Sequence, residues 1–227
     1  MRPGRHGGWL LVCALGCLVA LGACGGSGGS KSPTSPTVPT GADAQFLFQH
    51  NARFANGRTV RWPNLPIRVF TNGIARQDEV AEWTLATGGA VTFTFVDSAS
   101  GADITFRFGG LGNDVCGSTA IFFDTSTGVI TSADVQVVQA IFHGPQCQRT
   151  IVHETGHAIG FLDHSADGGL MDPDGGNGII TPPVSNMIRN LYSLPPGTLI
   201  GSAETAQEVR RGGGGKSSVM IMSTVRR

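Results

Sequence analysis

The segment His153–Pro173, HETGHAIGFLDHSADGGLMDP, concentrates histidines and carboxylates within a short part of the chain. His153 and His157 are four positions apart, so on a helix they lie on one face and can share a single ion. Glu154 projects about 100° further around the same helix, beside an ion held by the histidines. There its carboxylate can accept a proton from a metal-bound water. The spacing therefore predicts a helical metal site with Glu154 as general base.

The residues that follow extend this pattern. His153, Glu154 and His157 form HExxH, the zinc-protease signature, and Gly160 stands where the helix must end with a positive φ for the chain to turn back. Met171 lies a short loop downstream, in LMDP. The pattern HExxHxxGxx(x)H followed by a methionine turn resembles the metzincins, and most closely the matrixins. This resemblance implies a zinc metalloendopeptidase, a hydrolase that cuts a protein or peptide substrate, in which Met171 supports the site without direct chemistry.

The resemblance covers about residues 60–200. RWPNLPIRVF is similar to the opening strand of a matrixin, ADITFRF to a later strand, and NMIRNLYSLPPG to the third helix. It implies an α+β catalytic domain of the metzincin type, in which a twisted mixed β-sheet carries an active-site helix and a C-terminal helix. It also implies that the sheet edge near Thr119–Asp124 accepts substrate as an added antiparallel strand.

Two residues compete to be the third zinc ligand. The usual metzincin register places it six residues after His157, where this chain has Asp163, and a snapalysin-like protease uses aspartate there. His164, in contrast, precedes a serine and lies seven residues before Met171, as in matrixins. Histidine is also a common zinc ligand in catalytic sites. We predict His153, His157 and His164 as the ligands, with Asp163 as the alternative to His164.

Residue patterns predict the secondary structure around this motif. Strands are expected at IRVF (Ile67–Phe70), VTFTFVD, ADITFRF, TAIFFD and ADVQVV, most of which alternate apolar and polar residues. A helix is expected from about residue 76 to 87, with acids in its first turn and glycines at its stop. A second helix is expected between Pro145 and Gly160. This order favours helices packed on a mixed sheet.

The N-terminal residues predict export. MRPGRHGG precedes the apolar run WLLVCALGCLVALGA, which is short for a membrane span and placed like the core of a secretory signal. LGAC resembles the lipobox of bacterial lipoproteins, so Cys24 is the expected lipidation site. We expect a protein of the bacterial cell envelope, facing the periplasm or exterior and attached to the membrane only through lipid on Cys24. An unlipidated secreted enzyme is the alternative.

Composition divides the chain into four parts. We expect a signal peptide over residues 1–23, a tether rich in Gly, Ser, Pro and Thr over 24–41, a metalloprotease domain over 42–200, and a flexible basic tail over 201–227. The net charge is zero, and no basic stripe with interleaved aromatic residues is present, which argues against a nucleic-acid partner.

Smaller features complete the predictions. Cys116 and Cys147 remain once the signal and the lipidated cysteine are set aside, and in an exported protein they are disulfide candidates. Asp172, Asp174 and Asn177 in DPDGGNG are similar to a calcium loop, although such runs are commonly plain turns. Besides the protease, the sequence leaves open a surface lipoprotein that binds metal without turnover, against which Glu154 argues because a binding protein needs no general base.

Overall fold

The computed structural model describes residues 37–112, 115–139, 147–173 and 175–201, together with the backbone of 218–226. Within these residues it contains four α-helices and six β-strands. The helices are α1 (Gly41–His50), α2 (Gln77–Ala86), α3 (Thr150–Ala158) and α4 (Pro182–Ser193). The strands are β1 (Ile67–Phe70), β2 (Phe93–Phe95), β3 (Ile104–Phe108), β4 (Val115–Asp124), β5 (Val129–Val137) and β6 (Ser218–Arg226).

The strands form one mixed sheet in the order β2-β1-β3-β5-β4-β6. The pairs β1/β2, β1/β3 and β3/β5 are parallel, whereas β4 is antiparallel to β5 and to β6. The predicted α+β class with a mixed sheet is confirmed. The topology makes β4 the only strand of β1–β5 that runs against the others, and it stands next to the helix that bears HExxH.

Helix α3 packs between α2 and the strands β4 and β5. From Val152 to Ala158 every residue of α3 is buried, so the face of this helix that carries His153 and His157 points into the protein. Gly156 is required by this packing, because a Cβ there would lie 2.5 Å from Cζ2 of Trp83 and 2.6 Å from Sδ of Met171. The Trp83 indole donates to the Val152 carbonyl at 2.8 Å, which ties α3 to α2.

Side chains from three other segments bind the carbonyl groups at the C-terminal end of α3. A helix end leaves its last carbonyls without intrahelical partners. Here the Trp62 indole donates to Ala158, the Tyr192 hydroxyl to Ile159 and the Asn51 amide to Gly160, at 2.8, 3.0 and 2.8 Å. Each carbonyl therefore has a fixed donor, which holds the direction in which the chain leaves the helix.

Gly160 makes the turn that follows. Its φ is +110°, as predicted from its position after His157. A Cβ at this position would lie 2.9 Å from the Val60 carbonyl oxygen and 3.0 Å from a methyl group of Leu191. Glycine is needed both for the backbone conformation and for the close approach of neighbouring segments.

The structure differs from the sequence predictions at three places. Helix α3 begins at Thr150 rather than near Pro145, which lies outside the described residues, and Cys147 precedes the helix in a turn. Helix α1 was not predicted, and it starts at the end of the expected tether. Residues 218–226, expected to be part of a flexible tail, form β6 along β4; β-branched residues in SVMIMSTVR suit a strand.

The described residues between 37 and 226 belong to one compact unit. The predicted signal peptide and the lipidation site Cys24 lie outside the described residues, so both stay predictions. In the part of the chain that is described, the helices are too short or too polar to cross a membrane.

Candidate metal centre

Three histidines meet at the buried face of α3. His153 and His157 come from successive turns of the helix, and His164 comes from the loop after Gly160. One ring nitrogen from each lies within 4.8 Å of the others, an arrangement that could hold a metal ion. His153 and His157 are 1% and 0% exposed, and His164 is partly buried. The structure thus brings together the three histidines that the sequence favours.

Backbone carbonyls determine which nitrogens face the centre. Nδ1 of His153 lies 2.6 Å from the Leu170 carbonyl oxygen, and Nδ1 of His157 lies 2.6 Å from that of Phe161. A carbonyl oxygen only accepts, so each Nδ1 must carry the proton and each neutral ring must present an unprotonated Nε2. The two Nε2 atoms are 3.0 Å apart.

Two nitrogen lone pairs that face each other at 3.0 Å repel unless a cation lies between them. A proton is a poor candidate for that cation, because burial lowers the pKa of His153 to about 3 and also lowers the pKa of His157 well below its ordinary value. The imidazoles are therefore neutral near pH 7 and suited to bind a metal ion. The donor set fits a bound metal.

The metal-free protein is expected to keep both imidazoles neutral at pH 5. In the unfolded chain the histidine pKa is near 6.5, so unfolding takes up protons that the folded state does not bind, and stability falls as the pH drops below about 6.5. The loss is of the order of 1 kcal/mol per pH unit for each imidazole. Glu154 acts in the opposite direction between pH 4.5 and about 8, because burial raises its pKa to about 8. Between these pH values the change in stability due to Glu154 offsets that of one imidazole. Below pH 4.5 Glu154 adds no further dependence of stability on pH.

NMR of the histidine ring protons in protein treated with a chelator measures these protonation states directly. The resonances of His153 and His157 should stay at their neutral positions at pH 5, while the same resonances in denatured protein titrate near pH 6.5. A titration midpoint near 6.5 for either ring in the folded protein would contradict the lowered pKa of the buried pair.

Asp163, the alternative third ligand, is engaged elsewhere. One of its carboxylate oxygens lies 2.6 Å from Nη2 of Arg53 and 3.6 Å from Nδ1 of His50. The segment after α1 supplies Arg53, and the Leu162 amide donates to the His50 carbonyl at 2.8 Å, which holds the loop beside that segment. The loop therefore directs Asp163 toward Arg53, and the neighbouring His164 joins the two helical histidines.

Glu154 is the acidic group of the site. It is fully buried, and burial raises the pKa of its carboxyl to about 8, while the hydrogen bond from Thr119 acts to lower it. The Thr119 hydroxyl lies 2.5 Å from Oε2, whereas Oε1 has no hydrogen-bond partner within the described part of the chain. A buried polar oxygen without a partner is costly and suggests that a further group binds there.

Thr119 is a site residue that sequence reasoning did not identify as a partner of Glu154. It lies on β4, 35 positions before the glutamate. The composition of β4 predicts a strand, yet it does not show which of its residues meets α3. Gly117 supports the same contact, because a Cβ there would lie 2.8 Å from Cγ of Glu154.

Met171 lies beneath the site, fully buried against α3. Its carbonyl accepts a hydrogen bond from the Ser165 amide at 2.8 Å, and the preceding carbonyl, from Leu170, orients His153. Asp167 closes the loop by accepting from the Ser165 hydroxyl at 2.8 Å and the Gly169 amide at 3.1 Å. The segment from His164 to Met171 therefore supplies His164 and orients His153.

Cys116 and Cys147 are joined by a disulfide, with Cα atoms 5.4 Å apart. The bond links β4, which carries Thr119, to the turn that precedes α3, the helix that carries Glu154. It thus fastens together the strand and the helix that form the acidic part of the site.

Replacing both cysteines with serine is expected to lower the free energy of unfolding by about 3–4 kcal/mol, because the bond closes a loop of 31 positions in the unfolded chain. Denaturant unfolding measures the loss. Reductant should produce a similar loss in the natural protein and none in the double variant. Equal stability of the natural protein, the reduced natural protein and the double variant would show that the bond contributes nothing.

The calcium candidate is only partly described. The Asn177 side chain accepts a hydrogen bond from the Ile179 amide at 2.9 Å, as in an ordinary turn. Asp172 lies in the described chain, whereas Asp174 does not. Calcium binding by this loop remains a prediction.

The comparisons with known proteins add no family assignment. No protein-family model matches the chain. No curated protein matches it either. The case for its function therefore depends on the residues and geometry described above.

Proposed function

We propose that this chain is a zinc-dependent endopeptidase of the metzincin type, most similar to matrixins. The observation that carries the proposal is the pair of facing Nε2 atoms of His153 and His157, 3.0 Å apart, beside a buried glutamate. The first feature supports a metal ion, and the second supports proton transfer next to it. A protein that only binds metal has no use for Glu154 at this position.

The donor set is suited to zinc. Catalytic zinc sites use three protein ligands and leave one position open. In some of these sites all three ligands are histidines. Metal-ligating histidines commonly donate their second ring nitrogen to a carbonyl, which fixes the tautomer and the ring orientation. His153 and His157 both do so, toward Leu170 and Phe161. His164 completes the set.

Glu154 is the proposed general base. When bound, zinc acidifies a coordinated water and polarises the scissile carbonyl of a peptide. Thr119 holds Oε2 of Glu154 in place, which leaves Oε1 to accept the proton of the attacking water and return it to the leaving amine. Burial raises the pKa of this carboxyl to about 8 in the metal-free site. The positive charge of a bound zinc ion would lower that pKa, which makes the carboxylate available to accept the proton near pH 7.

We also propose that the mature chain is exported and anchored through lipid on Cys24. The support is the apolar N-terminal run and the LGAC sequence. Metabolic labelling with a radioactive fatty acid should label the natural chain but not Cys24→Ala. Equal labelling of both would place the lipid elsewhere, and an unlabelled natural chain would indicate a secreted enzyme.

Zinc content and cleavage of unfolded casein test the proposed activity. The soluble chain from residue 25 onward should contain about one zinc per molecule and cut casein internally. Activity should disappear with a chelator and return with zinc. A protein that retains one zinc and cuts neither casein nor a library of peptides would instead belong to the class of metal-binding surface proteins.

A further inference from the structure

The outer edge of β4 is occupied by β6. The two strands are antiparallel, and their Cα register runs without interruption from Gly117 opposite Val225 to Asp124 opposite Ser218. On its other side β4 pairs with β5. Both edges of β4 are thus engaged by strands of the same chain.

This part of β4 borders the metal centre. Thr119 contacts the carboxylate of Glu154, and Gly117 lies close to the same side chain. Opposite these positions β6 presents Ser223 and Val225 in the register. Cα atoms of β6 also come within 8 Å of α3, the helix that bears two of the histidines. The C-terminal strand therefore lies beside the catalytic helix.

We propose that β6 is an internal competitor of the substrate, a strand of the chain itself that occupies the edge on which an extended peptide would bind. The inference rests on the proposed peptidase function. A strand edge offers one row of N–H and C=O groups, and a peptide added to a sheet edge pairs with that row. Because β6 already pairs with positions 117–124, substrate binds there only after β6 leaves.

Tethering makes this competitor effective. A segment of the same chain meets its site at an effective concentration set by the length of the connecting chain, and this concentration is roughly millimolar for short connections. A peptide substrate at micromolar concentration then competes poorly, even when it pairs with β4 equally well. Release of β6, by a cut in the chain or by another partner for the strand, would turn on the enzyme.

A chain that ends at Ser217 tests the proposal. The buried core of the described domain is built from residues 47–200, so this truncation removes none of it. We expect kcat/KM for a peptide substrate to rise roughly tenfold or more, as for a closed state that leaves about 10% or less of the molecules open. The zinc content should not change, and the gain should appear mainly as a lower KM.

A synthetic peptide of residues 218–226 should inhibit the truncated enzyme in competition with substrate. The matched control is the same peptide with Ile221→Pro and Met222→Pro. Successive backbone N–H groups of a strand point to opposite sides, so one of the two prolines must remove a donor that faces β4. This control peptide should inhibit at least tenfold more weakly.

Amide hydrogen exchange separates this proposal from the proposed activity. Amides of residues 117–124 should exchange faster in the truncated chain than in the full chain, and the peptide of residues 218–226 should restore their protection. This readout needs no turnover, so it can succeed even if neither chain cleaves a peptide. That outcome would reject the peptidase and leave only the pairing of β6 with β4.

Two results would overturn the proposal that β6 competes with the substrate. One is unchanged exchange at residues 117–124 together with unchanged kcat/KM after truncation. The other is protection that disappears on dilution of the full chain, since β6 would then pair with β4 of a second copy.

Discussion

Replacing Glu154 with glutamine is expected to leave zinc binding intact and to lower kcat/KM by roughly 100- to 10,000-fold, the range by which general acid–base catalysis contributes. Glutamine has the same shape and cannot accept the proton of the attacking water. Since burial raises the pKa of the Glu154 carboxyl to about 8 in the metal-free protein, the neutral form is favoured at this position when no metal is bound. The variant should therefore fold.

Zinc content and the rate of peptide cleavage measure this effect, and Glu82→Gln is the matched control. Glu82 pairs with Arg149 at a partly exposed position, so the same chemical change there should leave activity nearly unaltered. The assignment of the general base fails if Glu154→Gln retains full activity. Loss of zinc together with activity would instead give Glu154 a role in holding the metal.

Replacing His164 with alanine is expected to weaken zinc binding by more than 100-fold. Partners outside the ligand set already change metal affinity by about 10- to 100-fold when mutated, and the loss of a ligand should exceed that range. Asp163→Ala should change zinc affinity less than tenfold. It breaks a partly exposed ion pair with Arg53, an interaction of about 1 kcal/mol or less.

Competition with a chromophoric chelator measures both zinc affinities. Arg53→Ala is the control for the ion pair and should behave like Asp163→Ala. If Asp163→Ala proves to be the variant that empties the site, the snapalysin-like arrangement replaces the matrixin-like one. Circular dichroism of each variant without metal shows whether a loss of affinity comes from unfolding.

The pattern of residues identified the helix, its glycine stop and the methionine turn because these features are local. Spacing four positions apart places His153 and His157 on one helical face wherever that helix packs. Gly160 is needed for a positive φ that few other residues adopt, so its position marked the turn. The order of strands and helices likewise follows from alternation and from turn residues, which is why the prediction of helices packed on a mixed sheet was correct.

Contacts between distant segments were beyond such patterns. The choice between Asp163 and His164 depends on Arg53, which draws the aspartate aside at 2.6 Å and is 110 positions away. The partner of Glu154, Thr119, comes from a strand whose register against α3 is determined by packing and by the Cys116–Cys147 bond. The pairing of β6 with β4 is also a contact between distant segments that no local pattern predicts.

The sequence by itself thus determined the helix and the two histidines and glutamate that it carries, because helical periodicity and glycine stereochemistry act within a few residues. Only the tertiary structure decided that His164, and not Asp163, lies with the other two histidines, which hydroxyl binds the glutamate and which strand covers the edge of the sheet. These choices depend on packing and hydrogen bonds between segments far apart in the chain, and such bonds have no local signature in the sequence.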